Sequence, residues 1–587
     1  MKRLFGIGLL GLLACGGADE PDLSQTCPGA TATAAPARRV PSSKATLADG
    51  REAVIVHLKP GTTSAQALRG RGRVHKRWSA LNAYATQVTP AERASLAKDP
   101  AVAHVEPDKV VRALGVTALA APVSSGSVLE YTPGLKMVQA PEVWDANLDG
   151  VLDVGAHDGT GARVCIIDSG LDRRHPELKI PVVGGYDFVD GDEDYSDQSG
   201  GEWGGGHGTH VAGTIAAQLA SGGDVGRGLN PGGVVGVAPG ASLLIARVLD
   251  LEGSGNVSTV VDAVGWCVSQ GADIISLSLG SEDPSVAEEE AFALARQAGV
   301  LTIAATGNSG ADEPMGYPAG YPGVLAVGAV DDTRELAGFS QTGFELGVHE
   351  GLTAPGVGVL STFIVGGSAE AYFQLGDAAV QEAATVEYST RADHAGPLVD
   401  CGLGGSETSC KSVKCKGFVA YVERGGTLET RDENGELQGI TFAMKVSNAI
   451  AQGAGAVIIG NNVPEEGPGS FTLGADAVEW PARVPVISLD TATGTALRDG
   501  HLGESVRLSF TESDYAVQSG TCMATPHVSG VAALVLSARP ELTGCQLREV
   551  LYGGAADLGL PGFDSEYGHG LVQAKASLTV PAPENCE

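Results

Sequence analysis

Short apolar runs and amphipathic stretches alternate along residues 136–366. The apolar runs have the length of buried strands, and the stretches between them carry apolar residues at helical spacing. Strands and helices that alternate in this way are typical of crossovers between parallel strands. The pattern predicts an α/β fold with a doubly wound, mostly parallel sheet. Its segments are ARVCIIDSG, HVAGTIAAQLA, ASLLIARVLD, VSTVVDAVGWCVSQG, DIISLSLG, AEEEAFALARQAG, VLTIAATGNSG and GVLAVGAV.

The alternation stops after VLSTFIVGG, near residue 366, and resumes at AVQSGTC, near residue 516. The stretch between them has strands of its own, GFVAYVE, GAVIIGN and VPVISL, around a helix, TFAMKVSNAIAQGA. We therefore predict one domain made of residues 136–366 and 512–582. Residues 367–511 are predicted to be a second, smaller α+β domain inserted into it.

Residues 51–115 are predicted to form a small α+β unit. Strands AVIVHL and NAYATQV alternate there with helical stretches TSAQALRGRG and PAERASLAKD. Residues 51–113 hold eleven Lys and Arg against five Asp and Glu, whereas the whole chain of 587 residues has a net charge of −32. Opposite charge favours docking of this unit on the acidic remainder of the chain, and residues 116–135 are predicted to be a linker. The acidic total excludes nucleic acid as an expected partner, and we expect a monomer.

The chain begins with a pattern typical of an export signal. MKRLFGIGLLGLLACGG combines two positive charges, an apolar run too short to cross a bilayer, and small residues. Residues 1–14 are predicted to be the signal peptide, and residues 15–50, rich in Ala, Pro, Ser and Thr, a tether. Leu12 to Cys15 resemble the bacterial lipobox, in which the cysteine after the cut is lipidated. The protein is therefore expected in the cell envelope, anchored to the membrane through Cys15, or outside the cell after ordinary cleavage.

Ten cysteines in an exported chain indicate disulfides. One pair is expected within the cluster of Cys401, Cys410 and Cys415, and another between Cys545 and Cys586. Cys165 and Cys267 lie in apolar runs and are expected to be buried. Lipidation of Cys15 would leave nine cysteines, so that at least one thiol stays unpaired, and Cys522 is the candidate for it.

Four polar residues stand where an open α/β sheet places functional groups, at strand ends and helix starts. Asp168 ends the strand VCIID, and His207 opens a helix in GGHGTHVAGT. Asn308 lies in a Gly-rich turn after LTIAA, and Cys522 begins the apolar helix of QSGTCMATPHVSGVAALV. The helix dipole is expected to keep His207 neutral and to favour the thiolate of Cys522. An acid, a base, an amide donor and a nucleophile are what covalent acyl transfer needs.

Each of these residues has a simpler interpretation when it is taken alone. An Asp before Ser-Gly is commonly part of a turn, and a cysteine at a helix start is commonly a small buried residue. His207 and His210 have a spacing that could bind a metal, although no third ligand is evident. The order Asp, His, Asn, nucleophile is what favours catalysis.

These motifs identify the chain as resembling the subtilisin-like serine protease family. The resemblance rests on IIDSG, HGTHVAGT, SLSLG, ATGNSG and GTCMATPHVSG. It implies that Asp168 orients His207, that His207 is the general base, and that Asn308 and the backbone N–H of Cys522 bind the oxyanion. Protein or peptide substrates are implied, held by an edge strand and a pocket. These substrate-binding residues are Ser278, Leu279, Gly280, Ala304, Ala305, Thr306 and Gly307.

Two further segments carry their own resemblances. Residues 51–113 resemble the family's propeptide, an intramolecular chaperone and inhibitor that is a partner in cis, with cleavage implied somewhere in RALGVTALAAPVSS. The insertion resembles a protease-associated domain through Arg424-Gly425, TFAMKVSNA, Gly453-Ala454 and VIIGNN. Such domains are not catalytic, so no chemistry is expected there.

The family has serine where this chain has Cys522. A thiolate leaves a tetrahedral adduct more readily than an amine does, so attack on an amide reverts unless the nitrogen is protonated efficiently. Three interpretations remain open: an exported endopeptidase with an Asp-His-Cys triad, a weak or inactive pseudoprotease that binds peptides, and a peptide ligase or transpeptidase. The first is preferred because every other catalytic element is present.

Calcium is the cofactor that the sequence predicts, in a structural role. Asp145, Asn147, Asp149 and Asp153 have the spacing of an EF-hand-like loop, but its twelfth position is Ala156 instead of Glu. An Asx-rich turn is the alternative. Glu177, in HPEL, occupies a position that in many relatives carries a calcium-binding acid.

Overall fold

The computed structural model of the protein describes most of the chain beyond residue 49. The described residues are 27, 50–62, 71–114, 130–179, 182–197, 205–219, 233–251, 253–386, 388–411, 413, 415–431, 437–464, 468–469, 471, 473, 477, 480 and 482–586. The predicted signal peptide, including Cys15, lies outside them, as do residues 116–129 of the predicted linker.

The N-terminal unit is an antiparallel sheet with strand order β2-β3-β1-β4, followed by a strand that leaves it. Its helix begins after Thr89, which forms a reciprocal capping box with Glu92. The strand β2, RVHKRW, was not expected, because its charges hide the alternation of a strand. The elements are β1 (Glu52–Leu58), β2 (Arg73–Trp78), β3 (Ala83–Val88), α1 (Pro90–Leu96), β4 (Val102–Pro107) and β5 (Val110–Ala113).

The central sheet has seven parallel strands in the order β14-β13-β12-β10-β6-β8-β7, which confirms the predicted fold class. Apolar side chains cover both faces, as parallel sheets require. The elements are α2 (Pro133–Met137), α3 (Pro141–Trp144), β6 (Arg163–Asp168), β7 (Val182–Asp187), α4 (His207–Ala216), β8 (Ser242–Arg247), β9 (Ser254–Asn256), α5 (Val257–Ser269), β10 (Ile274–Leu277), β11 (Leu279–Gly280), α6 (Val286–Gln297), β12 (Leu301–Ala305), β13 (Leu325–Val330), β14 (Gly351–Pro355) and β15 (Val359–Thr362).

The insertion is a closed barrel with strand order β16-β17-β23-β22-β19-β18-β24. It has apolar clusters of its own, so it is built as a separate unit. The elements are β16 (Ser368–Leu375), β17 (Gln381–Thr385), β18 (His394–Asp400), β19 (Phe418–Glu423), β20 (Thr427–Arg431), β21 (Leu437–Gly439), α7 (Phe442–Ala451), β22 (Ala454–Gly460), β23 (Val486–Leu489), α8 (Thr491–Gly500) and β24 (Ser505–Ser513).

The chain leaves the barrel beside the point where it entered, because β25 pairs antiparallel with β15. The long helix after β25 is the one described helix that is long and apolar enough to cross a membrane, and 89% of its apolar window is buried inside the protein. That burial is typical of a core helix. The last elements are β25 (Tyr515–Gln518), α9 (Thr521–Ala538), α10 (Gly544–Gly554) and α11 (Ala574–Ser577).

Four disulfides use eight of the ten cysteines: Cys27–Cys415, Cys165–Cys267, Cys401–Cys410 and Cys545–Cys586. Two of them were expected. Cys165 and Cys267 are buried as predicted, but they are also bonded to each other, since adjacent elements bring two distant apolar runs together. Among the described residues Cys522 is the one free cysteine.

Candidate active site

Asp168 and His207 meet at the carboxyl edge of the central sheet. Asp168 is the last residue of β6, and His207 is the first residue of α4. Both side chains are buried, and Nδ1 of His207 lies 2.8 Å from Oδ1 of Asp168. The carboxylate therefore orients the imidazole, with Nε2 on the far side of the ring.

Glycines allow the tight approach of α4 to the end of β6. Gly206, the residue before the helix, has φ of 95°, a conformation that residues with a Cβ rarely adopt. A Cβ on Gly208 would lie 2.4 Å from the backbone oxygen of Gly170. The glycines of the HGTH motif thus place His207 against Asp168.

The surroundings of His207 act on its pKa in opposite directions. Burial lowers the pKa of His207, but the Asp168 carboxylate and the Cys522 side chain act against burial and hold that pKa well above 6.5. The carboxylate at 2.8 Å thus makes Nε2 of His207 a stronger base than burial alone would leave it. Nε2 is buried and makes no hydrogen bond of normal geometry to the described residues.

Cys522 is the second residue of α9 and is fully buried. The residue before it, Thr521, donates from its backbone N–H and its hydroxyl to Oδ1 of Asn308, at 2.8 and 2.9 Å. Because the amide oxygen of Asn308 faces Thr521, its NH₂ group is turned the other way. Ser278 donates from Oγ to the backbone oxygen of Cys522 at 2.8 Å. The helix start is thus fixed by two of the residues that the sequence singled out.

The N-terminal unit places its last strand in the groove beside these residues. β5 pairs antiparallel with β11, with Ala113 opposite Leu279 and Arg112 opposite Gly280. Its other edge pairs antiparallel with β9. β5 is therefore the middle strand of a three-stranded sheet whose outer strands belong to the α/β domain.

Leu114, the residue after β5, reaches the thiol. Sγ of Cys522 donates to the backbone oxygen of Leu114 at 3.2 Å. The Leu114 side chain lies over Gly280, where an added Cβ would be 3.4 Å from Cδ2. The carbonyl of a bound strand therefore contacts the candidate nucleophile.

The other predicted substrate-binding residues lie at the end of β12 and in the turn that follows it. Ala304 and Ala305 end β12, and the buried Thr306 donates from Oγ1 to the Val327 backbone oxygen at 3.3 Å. A Cβ on Gly307 would lie 1.8 Å from Oε1 of Gln341, and φ there is 122°, so only glycine fits. Gly307 also donates from its N–H to Oγ1 of Thr521 at 3.2 Å, which links this turn to the start of α9.

Acidic residues of the N-terminal unit bind the starts of two helices. Glu106 accepts from the N–H groups of Val286 and Ala287 at 3.0 Å each, at the start of α6. Asp108 accepts from N–H and Oγ of Ser258, at the start of α5, at 2.9 and 2.7 Å. Carboxylates are stabilised at helix N-termini, so these contacts add to the docking expected from opposite charge.

Comparison with known proteins agrees with this architecture. Residues 159–385 and 491–570 match the subtilase family, residues 394–497 the PA domain, and residues 53–114 the peptidase inhibitor I9. The chain belongs to the subtilase family.

Subtilase relatives include subtilisin E of Bacillus subtilis (strain 168), 36% identical over 305 residues, which are 51% of this chain and 68% of that protein. Subtilisin DY of Bacillus licheniformis is 42% identical over 210 residues, 35% of this chain and 69% of that protein. The crystal structure of fervidolysin from Fervidobacterium pennivorans, a keratinolytic enzyme related to subtilisin, has a TM-score of 0.56 at 22% identity, covering 92% of this chain and 63% of that one. That likeness shows a shared fold.

Asp197 supports the position of His207, and the sequence did not predict it. It is buried and accepts from N–H of Gly206 at 2.9 Å and from N–H and Oγ1 of Thr209 at 2.9 and 2.6 Å, on either side of His207. Burial raises the pKa of Asp197 to about 6. Asp197 lies in the acidic loop GDEDYSDQSG, where no spacing distinguishes it from its neighbours.

The predicted calcium loop of the subtilase directs its carboxylates toward its own backbone. Asp145 accepts from N–H of Asp149 and Gly150 at 3.1 and 2.9 Å, and Asp153 accepts from N–H of Ala146 at 2.8 Å. Among the described residues no group of three or more His, Cys, Asp or Glu is placed to hold a metal. The loop therefore has the geometry of an Asx-rich turn.

Glu177 is the other acid that the sequence associates with calcium. It is fully buried, and burial raises its pKa to about 8. Oε2 accepts from N–H of Val234 at 2.9 Å, whereas the buried Oε1 has no hydrogen-bond partner of normal geometry in the described part of the chain. Burial favours the protonated form of this carboxyl group, and a bound cation would stabilise the ionised form instead.

Proposed function

We propose that this subtilase is an endopeptidase that hydrolyses peptide bonds with Asp168, His207 and Cys522. The observation that carries the proposal is the 3.2 Å contact between Sγ of Cys522 and the backbone oxygen of Leu114, on a strand held as a substrate would be. The same contact makes the peptide bond after Leu114 the first substrate, cut in cis.

The first half of the reaction forms a thioester. The thiol proton of Cys522 passes to Nε2 of His207, and Sγ attacks the carbonyl carbon of Leu114. The NH₂ group of Asn308 and the N–H of Cys522 stabilise the oxyanion. His207 then gives the proton to the leaving nitrogen, the C–N bond breaks, and Leu114 is joined to Sγ. Asp168 holds the imidazolium in position.

The second half of the reaction hydrolyses the thioester and releases Leu114 as a carboxylic acid. His207 takes a proton from water, the hydroxide attacks the thioester carbon, and the proton returns to Sγ as the C–S bond breaks. The products are the Leu114 carboxyl group, a new amino terminus and the free enzyme. An amine in place of water would give a new amide, which is the ligase alternative.

The test compares wild type, Cys522→Ala and Cys522→Ser during expression and storage, with cleavage after Leu114 read by mass spectrometry. We expect wild type to be cut and Cys522→Ala to stay intact, because loss of a triad nucleophile costs about 10⁴- to 10⁶-fold in rate. Wild type that stays intact while Cys522→Ser is cut would establish the pseudoprotease. A cut chain that joins added amine-bearing peptides to its new carboxyl group would establish the ligase.

We also propose that the chain is exported and anchored through a lipidated Cys15. The support is the signal-like start of the sequence and the four disulfides among the described residues, which are typical of exported proteins. Mass spectrometry of the envelope fraction is expected to find an N-terminal fragment starting at Cys15 with two or three acyl chains. A Cys15→Ala chain released into the medium would agree, and a wild-type chain that retains Met1 would refute export.

We propose calcium as a structural ion held in part by Glu177. The expected result is a lower melting temperature with a chelator, restored by Ca²⁺, in wild type and in Asp149→Ala. Glu177→Gln should lose the response to calcium. Retained response in Glu177→Gln together with its loss in Asp149→Ala would assign the ion to residues 145–153 instead.

A further inference from the structure

The disulfide Cys27–Cys415 crosses the position where the propeptide is expected to be cut. Cys27 precedes the propeptide in the chain, and Cys415 lies in the PA domain, 388 residues later. The bond after Leu114 lies between them. The N-terminal part is therefore joined to the rest of the protein twice, through the peptide chain and through this disulfide.

Cys27 is seated in the PA domain by more than the disulfide. Its backbone N–H donates to the Lys416 backbone oxygen at 2.6 Å. It is 3% exposed and packs in the apolar cluster that contains Phe418 and Ala420 of β19. Burial, a backbone hydrogen bond and a covalent bond together indicate a built attachment.

We propose that cleavage after Leu114 leaves the propeptide covalently attached, so that the processed enzyme is two chains joined by Cys27–Cys415. The proposal rests on the proposed self-cleavage. The peptide bond is hydrolysed, but the disulfide keeps its electrons and is not touched. Release of the propeptide needs a separate event, which is reduction of this disulfide by two equivalents of a thiol or a second cut between Cys27 and β1.

Retention keeps the inhibitor close to the groove it occupies. Twenty-four residues separate Cys27 from Glu52. Even fully extended, they span about 85 Å at roughly 3.4 Å per residue. One propeptide confined within that radius has a local concentration of at least roughly 0.5 mM, so it rebinds whatever the dilution of the enzyme. Self-cleavage alone therefore does not free the groove.

The experiment examines wild type, Cys27→Ser/Cys415→Ser and the control Cys401→Ser/Cys410→Ser, which removes a different disulfide of the same domain. After self-cleavage, alkylated samples are run on denaturing gels with and without reductant. We expect two fragments in every protein under reduction. Without reductant, wild type and the control should stay as one band, and Cys27→Ser/Cys415→Ser should separate. Wild-type fragments that separate without reductant would overturn the proposal.

A second chain makes the result independent of catalysis. It carries Cys522→Ala and a recognition sequence for an added site-specific protease, inserted after Leu114. Linked fragments after external cutting support retention even if wild type never cuts itself, an outcome that would refute only the proposed function. Fragments that separate on the gel without reductant would refute retention.

A dilution experiment tests the tethering argument. On 1,000-fold dilution, the rate of peptide-amide hydrolysis per mole of enzyme should rise at least tenfold in self-cut Cys27→Ser/Cys415→Ser and stay unchanged in wild type. Equal activation of both proteins would contradict the tethering argument.

Discussion

The substrate groove and the PA domain hold the N-terminal segment in two different ways. In the groove, β5 is held by backbone pairing on both edges. The residues beside it add carboxylate contacts with helix starts and the contact of Leu114 with Cys522. At the PA domain it is held by the covalent bond Cys27–Cys415, with a backbone hydrogen bond and the burial of Cys27 beside it. Groove contacts are an equilibrium that dilution shifts, whereas the disulfide is independent of concentration. Under the proposed self-cleavage, cutting, retention and release of the propeptide are therefore separate events that can be tested one by one.

The largest expected effect is a slower self-cleavage that leaves the propeptide attached at both places. Asp168→Asn should slow self-cleavage after Leu114 by about 10⁴-fold, because His207 loses the carboxylate that orients it. The Asp168 side chain accepts from His207 and Ser169, which lie outside β5 and the Cys27 site, so both attachments should persist. A time course on reducing gels measures the rate, with Asp194→Asn, an exposed acid bound to Ser196, as the matched control. Cleavage within tenfold of wild type would contradict the assigned role of Asp168.

The stability that the His207–Asp168 pair contributes should depend on pH, whereas the Cys27–Cys415 disulfide does not titrate. The pKa of His207 is raised above its unfolded value of about 6.5, so its pair with Asp168 contributes stability fully present below that pH. The contribution is lost as pH rises through the folded-state pKa, by on the order of 1.4 kcal/mol for each pH unit between the two values. Unfolding by denaturant should show wild type and Asp168→Asn converging as pH rises. A difference in unfolding free energy between the two proteins that grows as pH rises would contradict this prediction.

A smaller effect tests the groove contacts without the tether. In Cys27→Ser/Cys415→Ser, adding Glu106→Gln should weaken propeptide inhibition by about 5- to 30-fold, since a charge at a helix N-terminus is worth about 1 to 2 kcal/mol. The inhibition constant is read from activity on dilution. Glu52→Gln is the control, because Glu52 binds Arg93 within the propeptide. With the Cys27–Cys415 disulfide intact, Glu106→Gln should cause little loss of inhibition, because the propeptide stays attached. An equal loss of inhibition in that protein would argue against retention.

The smallest effect is expected at the rim of the docking surface. Lys76 lies 2.8 Å from Asp262, and both side chains are partly exposed. Lys76→Ala should weaken inhibition by less than about fivefold, and the difference should shrink as salt is added. A loss as large as that of Glu106→Gln would mean that opposite charge, and not the helix termini, dominates docking.

The active site could be predicted from sequence because its parts are local. A strand end fixes Asp168, a helix start fixes His207 and Cys522, and a Gly-rich turn fixes Asn308. The carboxyl edge of the parallel sheet then brings these residues together. Asp197 escaped prediction because its partners, the backbone N–H groups around His207, carry no sequence signal.

The predictions that depended on one residue's wider surroundings were weaker. The spacing of residues 145–153 suits calcium, but spacing cannot show whether an oxygen faces an ion or a backbone N–H, and here the N–H groups take it. The sequence places His207 at a helix start, but it does not reveal that the Asp168 carboxylate raises the pKa of His207.

The sequence by itself determined the α/β fold, the order of the candidate catalytic groups and the presence of a cysteine in place of serine. Periodicity and short motifs encode these properties over a few residues. Only the tertiary structure decided that Leu114 meets Cys522 and that Cys27 pairs with Cys415 across 388 residues. Both contacts join segments far apart in the chain, and their partners are selected by the packing of whole domains, which no local pattern specifies.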